Sequence, residues 1–104
     1  MMETKAILLD GKDNVATCTS EAHPGDKVHC HGSATAEVEA VADIPIWHKI
    51  ALRPIAKGDM VYKYGEVIGE ALQDIPQGGW VSHENIRSVP RDYASEYLLG
   101  KEAQ

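Results

Sequence analysis

Short polar turns alternate with apolar runs along most of this chain, a pattern that is typical of a β-rich protein. Three of the turns end alike, with a glycine three residues before a valine: Gly25 before Val28, Gly58 before Val61 and Gly78 before Val81. Glycine adopts the backbone conformations that tight turns need, and the apolar residue marks the start of a half-buried strand. The sequence therefore predicts a strand after each of these turns.

Further strands are predicted where apolar and polar side chains alternate or where branched residues cluster. They lie within residues 6–9, 28–31, 35–41, 50–52 and 61–64. Gly65 and Gly69 flank the apolar pair Val67-Ile68 at a spacing that suits bends or close approach of two backbones. Residues 13–18 fit either a strand or a short helix capped by Asp13, and the periodicity leaves both open.

The C-terminal tail is the segment with a helical pattern. Ser88 can cap a helix and Pro90 suits its first turn. Tyr93, Tyr97 and Leu98 then fall along one side before a glycine ends the pattern. We therefore predict a single mainly β domain over residues 1–87, followed by a helical tail over residues 88–104.

Composition and charge exclude several classes of partner. The chain has 104 residues and a net charge of −6, and its Lys and Arg residues are scattered, which argues against nucleic acid. An anionic ligand would need a local positive site, for which Lys49 and Arg53 are the candidates nearest to a histidine. No apolar run approaches the ~20 residues of a membrane span, and residues 1–5 lack the basic region and long apolar segment of a secretory signal, so we expect none. We therefore expect a cytoplasmic protein without a membrane partner.

His48 and Lys49 form the first candidate for chemistry, within an otherwise apolar run. A neutral imidazole and an adjacent ammonium can together bind a carboxylate or move a proton, and the ammonium favours the neutral imidazole. The alternative is a solvated Lys49 and a His48 that only satisfies a hydrogen bond at a strand edge. Trp47 beside them could form the floor of a sugar-binding surface or fill the core, and its type favours the core.

His29, Cys30 and His31 form a second candidate that superficially resembles a metal clip. Successive side chains of a strand face opposite ways, so the two histidines share one face and Cys30 leaves it. No further motif completes a zinc site, and an exposed polar face is the favoured alternative. Cys18 and Cys30 are too few for a disulfide framework, so we expect two free thiols.

Residues 82–85 form the third candidate because Ser82, His83, Glu84 and Asn85 bring four polar groups to the end of a predicted strand. Strand alternation would place Ser82 and Glu84 on one side, with His83 and Asn85 on the other. The alternative is a plain polar strand edge that Asn85 ends. No Ser-His-Asp arrangement, phosphate-binding glycine loop or paired carboxylate motif accompanies these residues.

Taken in order, several motifs resemble the SAF domain of the altronate and galactarate dehydratases. They are Asp13-Asn14-Val15-Ala16, residues 43–52, residues 55–61, residues 64–69 and residues 79–85, and together they extend over roughly residues 5–87. The resemblance implies a β-clip fold. It also implies an N-terminal domain, or a separately encoded small subunit, of a sugar-acid dehydratase or of the related sulfolactate sulfo-lyase.

The resemblance also implies partners, a cofactor and site residues. A large catalytic portion eliminates water from a hydroxy acid with a divalent metal, often iron or manganese, which that portion mainly holds. His48, Lys49 and Glu84 are then the predicted catalytic residues, because elimination needs a base for the α proton and cations that clamp the acid. The predicted substrate-binding residues are Asp13, Asn14, Tyr64, Gly65 and Asn85.

The sequence departs from the family pattern at two places. Trp47 replaces a usual glycine before the histidine, and Ser82-His83-Glu84-Asn85 replaces a usual His-x-His-Asn. We therefore predict a dehydratase small subunit that is inactive alone. The alternatives are a stand-alone sugar-acid binding module, a sulfolactate sulfo-lyase small subunit, and a structural partner docked through its tail; a homo-oligomer is also compatible with the sequence.

Overall fold

The structure, a computed structural model, describes residues 4–88 and contains nine strands in that range. The strands are β1 (Thr4–Leu8), β2 (Val15–Cys18), β3 (Lys27–Gly32), β4 (Ala36–Glu39), β5 (Lys49–Ala51), β6 (Met60–Lys63), β7 (Glu66–Ala71), β8 (Trp80–Val81) and β9 (Ile86–Ser88). The predicted mainly β fold is confirmed. The predicted tail helix lies outside the described residues, and the domain boundary at residue 87 stays a prediction.

The strands form two sheets. The larger has the order β4-β3-β1-β2-β5-β8, and β1 and β3 are its one parallel pair among the described residues. The smaller has the order β6-β7-β9 and is antiparallel throughout. No helix long and apolar enough to cross a membrane occurs in residues 4–88.

Two hydrophobic cores lie on opposite faces of β2 and β5. Ala16 and Ile50 belong to the first core, whereas Val15 and Ala51 belong to the second. Both faces of these strands are therefore buried, and a strand with two buried faces lacks the alternation of apolar and polar residues. This explains why the periodicity of residues 13–18 left helix and strand open, although the segment is strand β2.

Four tight turns share one backbone design, which we call the turn–bulge unit. The units are His23–Asp26, Pro45–His48, Ala56–Asp59 and Pro76–Gly79, and in each the fourth N–H donates to the first carbonyl at 2.9–3.1 Å. The third residue has a positive φ, between 71° and 94°. Its N–H donates to a residue across the sheet, whose own N–H donates to the fourth carbonyl, as in a glycine-type β-bulge. Three units confirm the predicted turns, and the Pro45–His48 unit is an addition to them.

The two cysteines are free, as predicted, and the structure shows that both are buried. Both lie beside Ala6, Cys18 on β2 and Cys30 on β3, so the whole of β1 separates them. Strands two places apart are about 10 Å from each other, which exceeds the reach of a disulfide. Burial raises the pKa of each thiol to about 11, so both stay protonated and unreactive at neutral pH.

Candidate functional site

The predicted site residues come from separate segments, and the structure gathers most of them into two groups. The hairpin group consists of Asp13, Asn14, Tyr64 and Gly65, which meet where the start of β2 approaches the β6–β7 hairpin. The imidazole group consists of His48, Trp80, Ser82 and Asn85, which meet beside β5 and β8.

Asp13 is the centre of the hairpin group. Tyr64 and Gly65 form the two-residue turn of the hairpin, with φ values of 62° and 72°, and such turns point their amides to one side. The buried Asp13 carboxylate accepts both N–H groups, from Tyr64 at 2.9 Å and from Gly65 at 2.7 Å. Asp13 thereby fixes the hairpin relative to the larger sheet.

Asn14 makes the second connection between the two sheets. Its Oδ1 accepts the Tyr62 N–H at 2.8 Å and its Nδ2 donates to the Met60 carbonyl at 3.0 Å. These bonds lie at the register shift between Val61 and Tyr62, where the amide side chain replaces a strand partner. The Asn14 side chain is thus committed to the backbone of β6 and that of Asp13 to the turn after it, and their contact with a substrate stays a prediction.

Tyr64 presents its ring at the surface of the hairpin group. The residue is 60% exposed, and the Lys63 Nζ lies 5.1 Å from the ring centroid, within the range of a cation–π contact. Glycine is favoured at Gly65 by its positive φ, and an added Cβ would also displace the Asp10 carboxylate, which would lie 2.8 Å away. The hairpin tip therefore offers an aromatic face and a cation.

Side-chain hydrogen bonds hold the imidazole group together, and one of them joins residues that are distant in the sequence. The Trp80 indole N–H donates to His48 Nδ1 at 3.1 Å. Asn85 in turn holds the backbone around Trp80, since its Nδ2 donates to the Trp80 carbonyl at 2.7 Å and its Oδ1 accepts the Ser82 N–H at 2.9 Å. Asn85 therefore supports the residue that contacts His48.

The expected strand alternation over residues 82–85 is wrong. Strand β8 ends at Val81, and the following residues form a turn in which the Asn85 and Ile86 N–H groups donate to the Ser82 carbonyl. The Ser82 hydroxyl is buried and accepts the Glu84 N–H at 3.2 Å, whereas His83 and Glu84 are exposed. Ser82 therefore closes the turn, and the catalytic role of Glu84 stays a prediction.

Lys49 and His48 are neighbours in sequence, but their side chains lie on opposite faces at the start of β5. Lys49 lies opposite Thr17 and Val81, while His48 contacts Trp80, the cross-strand partner of Ile50. Burial lowers the pKa of Lys49 below its ordinary value, and the nearby Lys63 ammonium lowers it further. Lys63, which the sequence did not single out, thereby connects the hairpin group electrostatically to Lys49.

Trp47 is exposed, and the expectation that it fills the core is wrong. Its side chain has an exposed fraction of 65%, and Ile46 beside it is 42% exposed. Its φ of 71° places it at the third position of a turn–bulge unit, where the other three units have glycine. This position points the side chain away from the sheet, so the indole lies on the surface next to His48.

The described residues do not assemble a metal site. His29 and His31 share the outer face of β3 while Cys30 is buried, as predicted, and His29 Nδ1 pairs with Glu37 at 3.1 Å. Within residues 4–88 no three His, Cys, Asp or Glu side chains come together as a metal ion would require. The residues present therefore do not fit a resident iron or manganese ion.

Comparisons with known proteins give the chain a family and several relatives. The model of the altronate/galactarate dehydratase SAF domain matches residues 4–89. Altronate dehydratase of Bacillus subtilis is 34% identical over 82 residues, which are 79% of this chain but 16% of that protein. Galactarate dehydratase (L-threo-forming) of Escherichia coli is 39% identical over 49 residues, 47% of this chain and 9% of that protein.

A shorter relative is matched over most of its length. The alpha subunit of (2R)-sulfolactate sulfo-lyase from Paracoccus pantotrophus is 47% identical over 49 residues, which are 47% of this chain and 73% of that subunit. The chain thus spans a small part of the dehydratases and most of a subunit that is itself small.

Proposed function

This chain belongs to the altronate/galactarate dehydratase SAF domain family, and from that membership we propose that it is the small, substrate-binding part of a hydro-lyase that acts on a sugar acid. The observation that carries the proposal is the match of the family model to residues 4–89, which include every predicted site residue. We propose that the chemistry is completed by a large catalytic polypeptide, and that the chain alone is inactive.

The relatives support a large catalytic portion beside this domain. The match covers 16% of the Bacillus subtilis altronate dehydratase, so the domain is a small part of that protein. The sulfo-lyase relative carries the name of a subunit, so a chain of this kind occurs within a multi-subunit enzyme. We propose the cytoplasm as the location, which stays a prediction from the sequence.

The charges of the site support binding of a carboxylate. The chain carries a net charge of −6, yet Lys49 and Lys63 lie close enough for one to lower the pKa of the other. The two ammonium groups repel each other, so an anionic ligand that lies between them is favoured.

Each predicted residue can then be given a role. Lys49 attracts the acid as an ammonium, and in its neutral form, which the lowered pKa makes more accessible than in an ordinary lysine, it can instead accept the α proton. For His48 and Glu84 we propose contact with the hydroxyl that leaves. Tyr64 and Trp47 offer exposed aromatic faces, while Asp13, Asn14, Gly65 and Asn85 hold the loops that carry these groups.

A divalent metal would bind on the large polypeptide. The described residues do not form a site for it, and a hydro-lyase metal would supply a Lewis acid for the departing hydroxyl. We therefore assign no metal ligand to residues 4–88, and the choice between iron and manganese stays a prediction.

The test is co-expression with a large dehydratase-like polypeptide encoded beside this chain. We expect a stable complex that releases a keto-deoxy acid from altronate or galactarate, and the variant Lys49→Met should lose that activity without losing association. Lys27→Met is the matched control, because Lys27 follows the first turn–bulge unit as Lys49 follows the second, but is exposed on β3. Failure to associate, or activity that does not depend on this chain, would contradict the proposal.

A sulfo-lyase subunit is the second candidate, favoured by the 47% identity to the sulfolactate relative. Sulfite release from sulfolactate by the same complex, without dehydration of sugar acids, would establish it. Calorimetry of the isolated chain with aldonic and aldaric acids tests the stand-alone binding module, which requires micromolar affinity without a partner.

A further inference from the structure

His48 differs from its counterparts in two other turn–bulge units by having no structural task within its own turn. In the first and third units the fourth residue is Asp26 or Asp59, and its carboxylate accepts the N–H of the first residue at 2.9 or 3.1 Å. In the second unit the first residue is Pro45, which has no N–H. No cap is needed there, so the fourth position can carry a different side chain.

The ring of His48 is instead fixed by Trp80. The indole N–H donates to Nδ1 at 3.1 Å, and the two rings meet edge to face with centroids 5.4 Å apart and an interplanar angle of 76°. Trp80 itself is held by Asn85 and packs against the first core. The imidazole is thus oriented by a group that the core keeps in place.

This hydrogen bond determines which nitrogen of His48 carries the proton. An indole N–H can only donate, so Nδ1 must accept with its lone pair. The proton of the neutral ring therefore lies on Nε2, and a doubly protonated ring would break the bond. A ring held in this way can donate a hydrogen bond through Nε2 but has no free lone pair with which to take a proton.

We propose that Trp80 is a positioning residue that holds His48 as the Nε2–H tautomer, so that His48 donates a hydrogen bond to the substrate instead of acting as the base. The proposal rests on the proposed function for the identity of the substrate, a hydroxy acid whose carboxylate or departing hydroxyl would accept that bond. Proton abstraction is then left to another group of the assembled enzyme.

The bond can be tested on the full chain without partner or substrate. In the ¹⁵N-labelled protein at mildly alkaline pH we expect a scalar coupling across the hydrogen bond between Trp80 Nε1 and His48 Nδ1. Long-range ¹H–¹⁵N spectra should show His48 with Nδ1 unprotonated and Nε2 protonated, assigned by loss of the signals in His48→Gln. In Trp80→Phe, which keeps an aromatic ring but removes the donor, the two nitrogen shifts should move toward each other as both tautomers become populated.

Trp47→Phe is the matched control, because it removes the other indole of the chain from a position adjacent in sequence to the same imidazole. It should leave the coupling and the His48 nitrogen shifts unchanged. Absence of the coupling in the unaltered chain, or a proton on Nδ1, would overturn the proposal, and neither result depends on how Trp80→Phe folds. Unchanged nitrogen shifts in a folded Trp80→Phe would overturn it as well.

Activity of the assembled enzyme gives the functional arm. Partners that orient metal-bound histidines contribute about 10–100-fold to activity, and by analogy we expect Trp80→Phe to lower kcat about 10-fold with the complex intact. Full activity in Trp80→Phe would overturn the role in catalysis. If the chain binds no large polypeptide while the coupling is present, the proposed function fails and the tautomer assignment stands, so the two failures are distinguishable.

Discussion

Two turns of this molecule have the same backbone and very different side chains. Pro45–His48 and Pro76–Gly79 both begin with proline, close with the same hydrogen bond and form the same bulge. The third residue is Trp47 in one, with φ 71°, and Gly78 in the other, with φ 82°. A left-handed conformation costs a residue with a side chain about 1–2 kcal/mol. Among the four turn–bulge units, glycine is absent from the third position only in the unit that contains His48, which makes the exposed indole a candidate for a role in function.

The comparison also separates two reasons why a turn position has glycine, a positive φ and a lack of space for a Cβ. At Gly25 and Gly58 an added Cβ would meet nothing within 4 Å, so only the positive φ favours glycine there. At Gly78 an added Cβ would also collide with the backbone carbonyl of Glu39. Gly78 is therefore fixed by space as well as by conformation, whereas the position of Trp47 tolerates a side chain because it points to solvent.

Gly78→Ala should have the largest effect on stability. The substitution should lower the free energy of unfolding by about 3–4 kcal/mol. Part of this loss is the strain of a left-handed side-chain residue, and part is the displacement of the closely packed backbone at Glu39. Gly58→Ala is the matched control, because it has the same turn position with open space, and should cost only about 1 kcal/mol. Urea denaturation of both variants measures the difference, and equal losses would show that space at Gly78 does not matter.

Trp47→Gly should stabilise the isolated chain by a smaller amount. Relief of about 1–2 kcal/mol of strain is partly offset by about 0.5–1 kcal/mol for the added freedom of glycine in the unfolded chain, which leaves about 1 kcal/mol. Trp47→Ala keeps the strain and should not be stabilised. Both variants should associate more weakly with the large polypeptide or with substrate, and a stability of Trp47→Gly below that of Trp47→Ala would break the comparison.

Lys63→Met should have the smallest effect, a change in the pKa of Lys49, which follows the Pro45–His48 turn. Removal of the neighbouring ammonium should move the pKa of Lys49 partway back up, because burial, the larger cause of the lowering, remains. NMR titration of the lysine side chains measures this shift. Because the folded pKa of Lys49 lies below its unfolded value, stability rises with pH between the two values, and this rise should be smaller in the variant. An unchanged Lys49 pKa would show that Lys63 does not act on it.

The sequence predicted the fold better where glycine marks the turns than where it does not. The turns at Gly25, Gly58 and Gly78 were found, and the equivalent turn at Trp47 was not, because the signal depended on the glycine. A different signal was present, since Asp43-Ile44-Pro45 and Asp74-Ile75-Pro76 repeat the same residues before the two turns. Residues 82–85 were assigned to a strand because their polar residues hide a turn that forms through side-chain bonds of Ser82 and Asn85.

The candidate site was predicted only in part for a similar reason. Residue types singled out His48 and Asn85, resemblance to the family added Asp13, and the structure brings these residues into defined hydrogen bonds. Trp80 was missed because its bond joins residues 32 positions apart, and no local pattern reports such a contact. Lys63 was missed because its effect on Lys49 depends on how the smaller sheet approaches the larger one.

Strands β2 and β5 line both cores at once, which has a consequence for how the molecule comes apart. Neither core can open while the other stays intact, because β2 and β5 contribute side chains to both cores. Amide protons of Ala16 and Ile50 should therefore exchange with solvent only through global unfolding. A destabilising substitution in either core should therefore lower the stability of both, and the domain should unfold as one cooperative unit in spite of its two cores.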